Sequence, residues 1–196
     1  MKRHGYLIMI VLAACTASPE ETNSDGAANT IADSSANRMI LPAATKRESF
    51  ADTKELERVT LPDGSEGHLV NGVKTGTWIT YFSTGAVQSI TPYYNGKREG
   101  PSVEFNDGGQ VIKRIWYHQD MRHGAYREYN YANLKEERNY VFGKIEGRVR
   151  VFYDNGKIVE EGNYKNGLRD GVSKWYDQEG NVTIQYEYRD GQLVKK

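Results

Sequence analysis

The side chains best suited to chemistry are few. His68, His118 and His123 are the histidines beyond the N-terminal stretch, and His118 and His123 stand five residues apart around a turn. A helical zinc pair needs two histidines four apart with a glutamate between them, and thiolate sites need several cysteines. Cys15 is the only cysteine, which excludes both a thiolate zinc site and an intramolecular disulfide. The acids Asp63, Asp107, Asp154, Asp170 and Asp190 fall in turn sequences, where carboxylates bond the backbone. Asp154-Asn155-Gly156 lacks the alternating ligands and distal glutamate of a calcium loop. The sequence contains no Gly-x-Ser-x-Gly elbow and no phosphate-binding glycine loop. The expectation is a protein that is not an enzyme, with no catalytic residue, no metal and no cofactor. The candidate binding surface is aromatic: Trp78, Tyr94, Trp116 and Trp175. Such rings can stack on sugars or clasp an extended peptide; they can equally pack against one another within a sheet.

These residues sit in a repeat. Asn71-Gly72, Asn95-Gly96, Gln119-Asp120, Phe142-Gly143 and Asn166-Gly167 are each followed four residues on by a second glycine: Gly76, Gly100, Gly124, Gly147 and Gly171. Asp190-Gly191 opens a further copy. An aromatic follows the second glycine by five (Tyr81, Phe105, Tyr129, Phe152, Tyr176). A turn position reads Gly85, Gly109, Asn133, Gly156, Gly180, and a late tyrosine reads Tyr93, Tyr117, Tyr140, Tyr164, Tyr188. A fixed period near 24 residues marks a repeat architecture. Asn-Gly and Asp-Gly pairs supply the positive φ angles of tight hairpins. An aliphatic stands six before each late tyrosine (Val87, Val111, Leu134, Ile158, Val182), an even separation that shares one strand face. The pattern predicts an all-β fold: an extended antiparallel β-hairpin meander of about five repeats, in a single repeat sheet of about ten to twelve strands. In the third copy Asp120 and Asn133 replace glycines, and both types tolerate left-handed backbone.

Composition agrees with a thin sheet. Of 14 tyrosines, all but Tyr6 lie between Tyr81 and Tyr188. Tyrosine suits half-wet surfaces, where the ring packs and the hydroxyl stays in water. Lysine plus arginine balance aspartate plus glutamate at 26 each. A nucleic-acid binder normally carries a basic excess, so no nucleic acid is expected as a partner.

The N-terminus reads as an export signal. Lys2, Arg3 and His4 precede the short apolar run Tyr6–Leu12, far below the length that spans a bilayer. Leu12-Ala13-Ala14-Cys15 resembles the lipobox of bacterial lipoproteins. The resemblance implies a signal peptide over 1–14, cleavage before Cys15 and lipidation of its sulfur, with membrane anchoring through several acyl chains. Thr16 after the cysteine favours the outer membrane over the inner, by analogy with enteric sorting. Residues 15–45, rich in Ala, Ser, Thr, Asn and Asp, are expected to be a disordered tether. Thr45-Lys46-Arg47-Glu48 has capping-box spacing, and Leu69 stands 24 residues before Tyr93. Residues 46–70 therefore read as an N-terminal cap, either a short helix over about 46–57 or a degenerate half-repeat. The repeat domain occupies 71–196. At its end a lysine pair, Lys195-Lys196, would discourage a further strand from adding.

The repeats resemble the MORN repeat in its bacterial variant. Asn95-Gly96-Lys97-Arg98-Glu99-Gly100 and Gly143 to Lys157 carry the resemblance, which covers about two thirds of the chain, 71–191. It implies an antiparallel repeat sheet and a scaffold role, with an envelope protein as partner. Many bacterial relatives are labelled antitoxins, which fits poorly with export. The family has also been linked to lipids, but without the first 14 residues the chain holds 24 basic against 26 acidic side chains, a charge of −2. That charge gives lipid binding no electrostatic support. The rival readings are a carbohydrate or peptidoglycan-binding module and an antitoxin- or immunity-type protein.

Overall fold

The structure is a computed structural model and describes residues 37–50 and 52–194. The signal sequence over 1–14, Cys15 and the Lys195-Lys196 pair lie outside the described residues.

Every element is a strand: β1 (Lys46–Phe50), β2 (Thr53–Thr60), β3 (Glu66–Val70), β4 (Val73–Tyr81), β5 (Val87–Tyr94), β6 (Lys97–Arg98), β7 (Gly100–Phe105), β8 (Val111–His118), β9 (Met121–Asn130), β10 (Asn133–Val141), β11 (Lys144–Ile145), β12 (Gly147–Phe152), β13 (Ile158–Lys165), β14 (Leu168–Arg169), β15 (Gly171–Tyr176), β16 (Val182–Arg189) and β17 (Gln192–Leu193). All pairings are antiparallel and follow chain order, so the fold is a single-sheet meander. Among the described residues the strands number 17, against the expected ten to twelve. Two extra strands are β1 and β2; the rest arise because one residue (Glu99, Glu146 or Asp170) interrupts a strand before its second glycine.

The repeat turns explain the glycines. Asn95 (φ 48°) and Gly96 (φ 81°) both lie in the left-handed region, as do Asn166 (φ 53°) and Gly167 (φ 88°). Two successive positive φ angles make the hairpin turn whose twist matches the strands. Asp120 accepts this geometry at φ 69°. Asn133 does not, and here the expectation fails. Asn133 opens β10 and pairs with Asn130, and the turn is Tyr131-Ala132 with Tyr131 at φ 53°. The residue missing from the third repeat was lost from this turn, so its glycine position vanished and the hairpin closed with two residues.

The helix alternative for 46–57 is overturned. Thr45 Oγ1 donates to Pro42 O at 2.7 Å instead of capping a helix, and Glu48 pairs with Arg58 across β1–β2. Arg47 grips Glu57 with two nitrogens of its guanidinium, a cross-strand bond that a helix would forfeit. The expected tether also ends early. Met39 N donates to Gly72 O at 2.9 Å, Arg38 bridges Val73, and Met39 and Leu41 pack against a core of Val59, Leu69 and Trp78. Two apolar side chains at the end of a polar stretch were enough to bind it to the sheet.

One face of the sheet is filled by a row two residues past each second glycine: Trp78, Ser102, Tyr126, Val149 and Ser173, all buried. Their partners are Thr91, Ile115, Arg138, Gly162 and Tyr186. Two glycines of this face lie against the row with no room for a side chain. A Cβ on Gly67 would meet the Trp78 ring at 2.4 Å, and one on Gly162 would meet Ser173 Oγ at 2.8 Å. At both places the backbone of one strand packs directly against a side chain of the next, as dense packing requires.

Candidate functional site

The four expected aromatic residues do not converge. Trp78 is 3% exposed, and its indole N–H donates to His68 O at 3.2 Å. It is a core residue, which removes it from the candidate surface. Trp175 is half-buried and meets Tyr186 edge-on, on the same face as Trp78. Trp116 and Tyr94 are out of phase with buried Ile115 and half-buried Tyr93, so they point to the opposite face, 47% and 73% exposed.

On the packed face a second row alternates cations with the late tyrosines. Lys74 Nζ stands 4.0 Å from the Trp78 centroid and 4.8 Å from Tyr93. Arg98 lies 4.1 Å over Tyr117, Arg122 5.4 Å over Tyr140, and Arg169 5.2 Å over Tyr164 and 5.7 Å over Tyr188. The series 74, 98, 122, 145, 169 is a cation register that the sequence reading missed; Ile145 interrupts it. Arg169 also binds Glu160 and Ser173, and Arg138 binds Glu136 and Tyr140. These guanidiniums are already partnered, so this row holds the sheet together.

The histidines are part of a second missed register. From the second repeat on, the residue before the second glycine accepts a hydrogen bond from the first residue of the next turn. Glu99 Oε2 accepts from Gln119 N (2.9 Å), Glu146 Oε2 from Asn166 N (2.8 Å) and Asp170 Oδ2 from Asp190 N (3.3 Å). His123 Nδ1 takes the same place for Phe142 N at 3.3 Å, which assigns its proton to Nε2. His118 Nδ1 bonds Glu99 Oε1 at 2.9 Å, and the hydrogen bond from His118 is the largest influence holding the Glu99 carboxyl below its usual range. Both histidines thus stand at turns. Among the described residues no group of three or more His, Cys, Asp or Glu side chains could hold a metal ion.

The other face is open. One residue per strand forms a row across it, each paired directly with the next: Ile79, Ile90, Val103, Arg114, Arg127, Glu137, Arg150, Glu161, Lys174. The row begins apolar and turns charged at β8. Beside it, Ala125, Arg127, Glu137, Asn139, Arg148 and Arg150 line a shallow depression of about 180 Å³. This face has the size and flatness of a surface for another macromolecule.

The family model of the MORN repeat variant matches residues 145–166 and 169–190. Both segments are similar to MORN-variant repeats. The two matched segments run from Ile145 of β11 to Asn166, and from Arg169 of β14 to Asp190, one full hairpin each. The same hairpin register continues through β4–β10, where Gly76, Gly100 and Gly124 occupy the place of Gly147 and Gly171. MORN repeats are in general interaction repeats for proteins and membranes, and the all-β repeat is not generally catalytic. No curated protein matches this chain.

Proposed function

We propose that this chain is a non-catalytic repeat scaffold that binds a protein partner in the bacterial cell envelope, held to the membrane by lipid on Cys15. The observation that carries the reading is the contrast between the two faces. One is filled by the cation–tyrosine row and its buried neighbours. The other presents an unbroken row of exposed and half-buried side chains, one per strand, about 4.8 Å apart. A long flat surface of that kind suits a macromolecule better than a small substrate, which prefers a concave pocket. The basic start, the short apolar run and Leu12-Ala13-Ala14-Cys15 support the anchor.

Crosslinking of tagged full-length protein in intact cells, followed by mass spectrometry, tests the scaffold. One enriched envelope protein is expected, lost when β7–β15 are deleted. Recovery of lipid and cell-wall fragments alone overturns it. For the anchor, Cys15→Ser should move the protein from the membrane to the soluble fraction; unchanged fractionation overturns lipidation. A second reading, a glycan-binding module, draws support from Trp116, an exposed indole on the open face. Sedimentation with purified sacculi, weakened in Trp116→Ala, is its signature.

A further inference from the structure

The open face carries a local positive charge that the whole chain does not. Total charge is zero, yet Arg114, Arg127, Arg148 and Arg150 stand together over β8, β9 and β12. Arg114 is the direct cross-strand partner of Arg127. Like charges placed opposite one another destabilise a sheet. Glu137, on β10 between them, is shared: it pairs with Arg127 at 3.6 Å and with Arg150. Among the described residues, Arg114 and Arg148 have no carboxylate within ion-pair distance. The packed face solves the same problem differently, giving Arg138 and Arg169 a glutamate each. The depression lies inside this patch. Ala125, paired with Asn139 across the strands, lines it together with Arg127, Glu137, Arg148 and Arg150.

We propose that this patch binds an acidic, extended segment of a protein partner, with carboxylates on Arg114, Arg148 and Arg150 and the amide of Asn139 supplying a further donor. The proposal rests on the scaffold reading and names the chemistry of its partner. Arginine suits the role because its planar fork grips a carboxylate with two hydrogen bonds. From β8 to β12 the patch spans three strand spacings, about 14 Å, the length of about four to five extended residues. Charge distribution selects a segment over a membrane. Glu161, the cross-strand partner of Arg150, borders the patch on the same face. A planar anionic surface would lie over that carboxylate, whereas a narrow chain running from Arg114 to Arg148 avoids it.

The test uses purified full-length protein and a fluorescein-labelled oligoglutamate peptide, read by anisotropy at low salt. Oligolysine and phosphatidylglycerol vesicles are the comparisons. Oligoglutamate should bind, weaken with added salt, and lose about fivefold in affinity in each of Arg114→Ala and Arg148→Ala. Glu137→Gln should tighten binding, since it removes the one acid inside the patch; a merely structural role for Glu137 would not. No binding of oligoglutamate, or affinity unchanged in both arginine variants, overturns the proposal. So does equal capture by the vesicles, which would place a membrane there instead. The envelope crosslink separates the two levels. A partner retained by the Arg114→Ala, Arg148→Ala double variant leaves the scaffold standing and removes this site. Absence of any partner with the wild-type chain removes the scaffold itself.

Discussion

Gly124 sits directly opposite Tyr140, as Gly147 sits opposite Tyr164. Two registers that look independent in the sequence are the two ends of one cross-strand pair. Each glycine has positive φ, 98° at Gly124 and 81° at Gly147, so alanine at either is strained by about 1–2 kcal/mol. The space differs. A Cβ on Gly124 would meet Trp116 Cβ at 3.3 Å, while one on Gly147 would meet nothing within 4 Å. Gly124→Ala should therefore cost more than Gly147→Ala, by about 1 kcal/mol of added crowding. Urea unfolding of the two variants checks this; equal losses would mean that the backbone conformation alone sets the requirement.

The same pairs show what the sequence could reveal. Registers tied to one residue type were legible: glycine for positive φ, tyrosine for the half-wet row, aromatic against aliphatic in Tyr81–Val87 and Phe152–Ile158. The buried row was not legible, because Trp78, Ser102, Tyr126, Val149 and Ser173 share a place and no chemistry. Each packs against a neighbour on the next strand, and that neighbour is 11 to 13 positions away, as Ser102 is from Thr91 and from Ile115. The carboxylates at Glu99, Glu146 and Asp170 were hidden for a related reason. Their partner is a backbone N–H in the next repeat, which has no residue identity. Trp78 and Trp116 were read as alike because strand phase, which sends one in and the other out, depends on bulges that the glycines create.

Phe142 holds φ at 45° in a turn position where the repeats on either side have Gln119 and Asn166. It is 57% exposed and packs edge-on against His123 at a centroid distance of 4.8 Å. A phenyl side chain gains little from that half-wet contact, and asparagine enters the left-handed region more readily. Phe142→Asn should stabilise the protein by about 0.5–1 kcal/mol. The urea midpoint should rise with an unchanged slope. A fall instead would mean that the ring's contacts with His118 and His123 outweigh the backbone strain.

Trp78 and Trp116 should separate sharply on truncation. Trp78 fills the space over Gly67, packs against Tyr93 and bonds His68 O. Trp78→Ala removes that volume and should cost about 3–5 kcal/mol. Trp116→Ala removes an exposed ring and should stay within about 0.5 kcal/mol. Thermal or urea unfolding of both variants decides it, and a large loss at Trp116 would mean that its ring is covered in the native protein.

Alkaline pH should weaken the fold through its tyrosines. Burial raises the Tyr126 phenol well above its usual range, and the bond it donates to Glu128 at 2.7 Å raises it further. Burial likewise raises Tyr93 and Tyr164, and the bond from Tyr81 to Glu66 is the main cause of its rise. A phenol raised in the folded state holds its proton after the unfolded chain has lost it. Below about pH 10 both states are protonated and this contribution is fully present. Above that, the unfolded state sheds protons that the folded state keeps, so stability falls as pH rises. The urea midpoint should be insensitive to tyrosine ionisation at neutral pH and decline from about pH 10 upward. Tyr126→Phe lowers the starting stability by removing the bond to Glu128, yet it should flatten the alkaline decline, because the residue with the most strongly raised phenol no longer titrates. An alkaline slope as steep in Tyr126→Phe as in the wild type would show that Tyr126 ionises alike in both states.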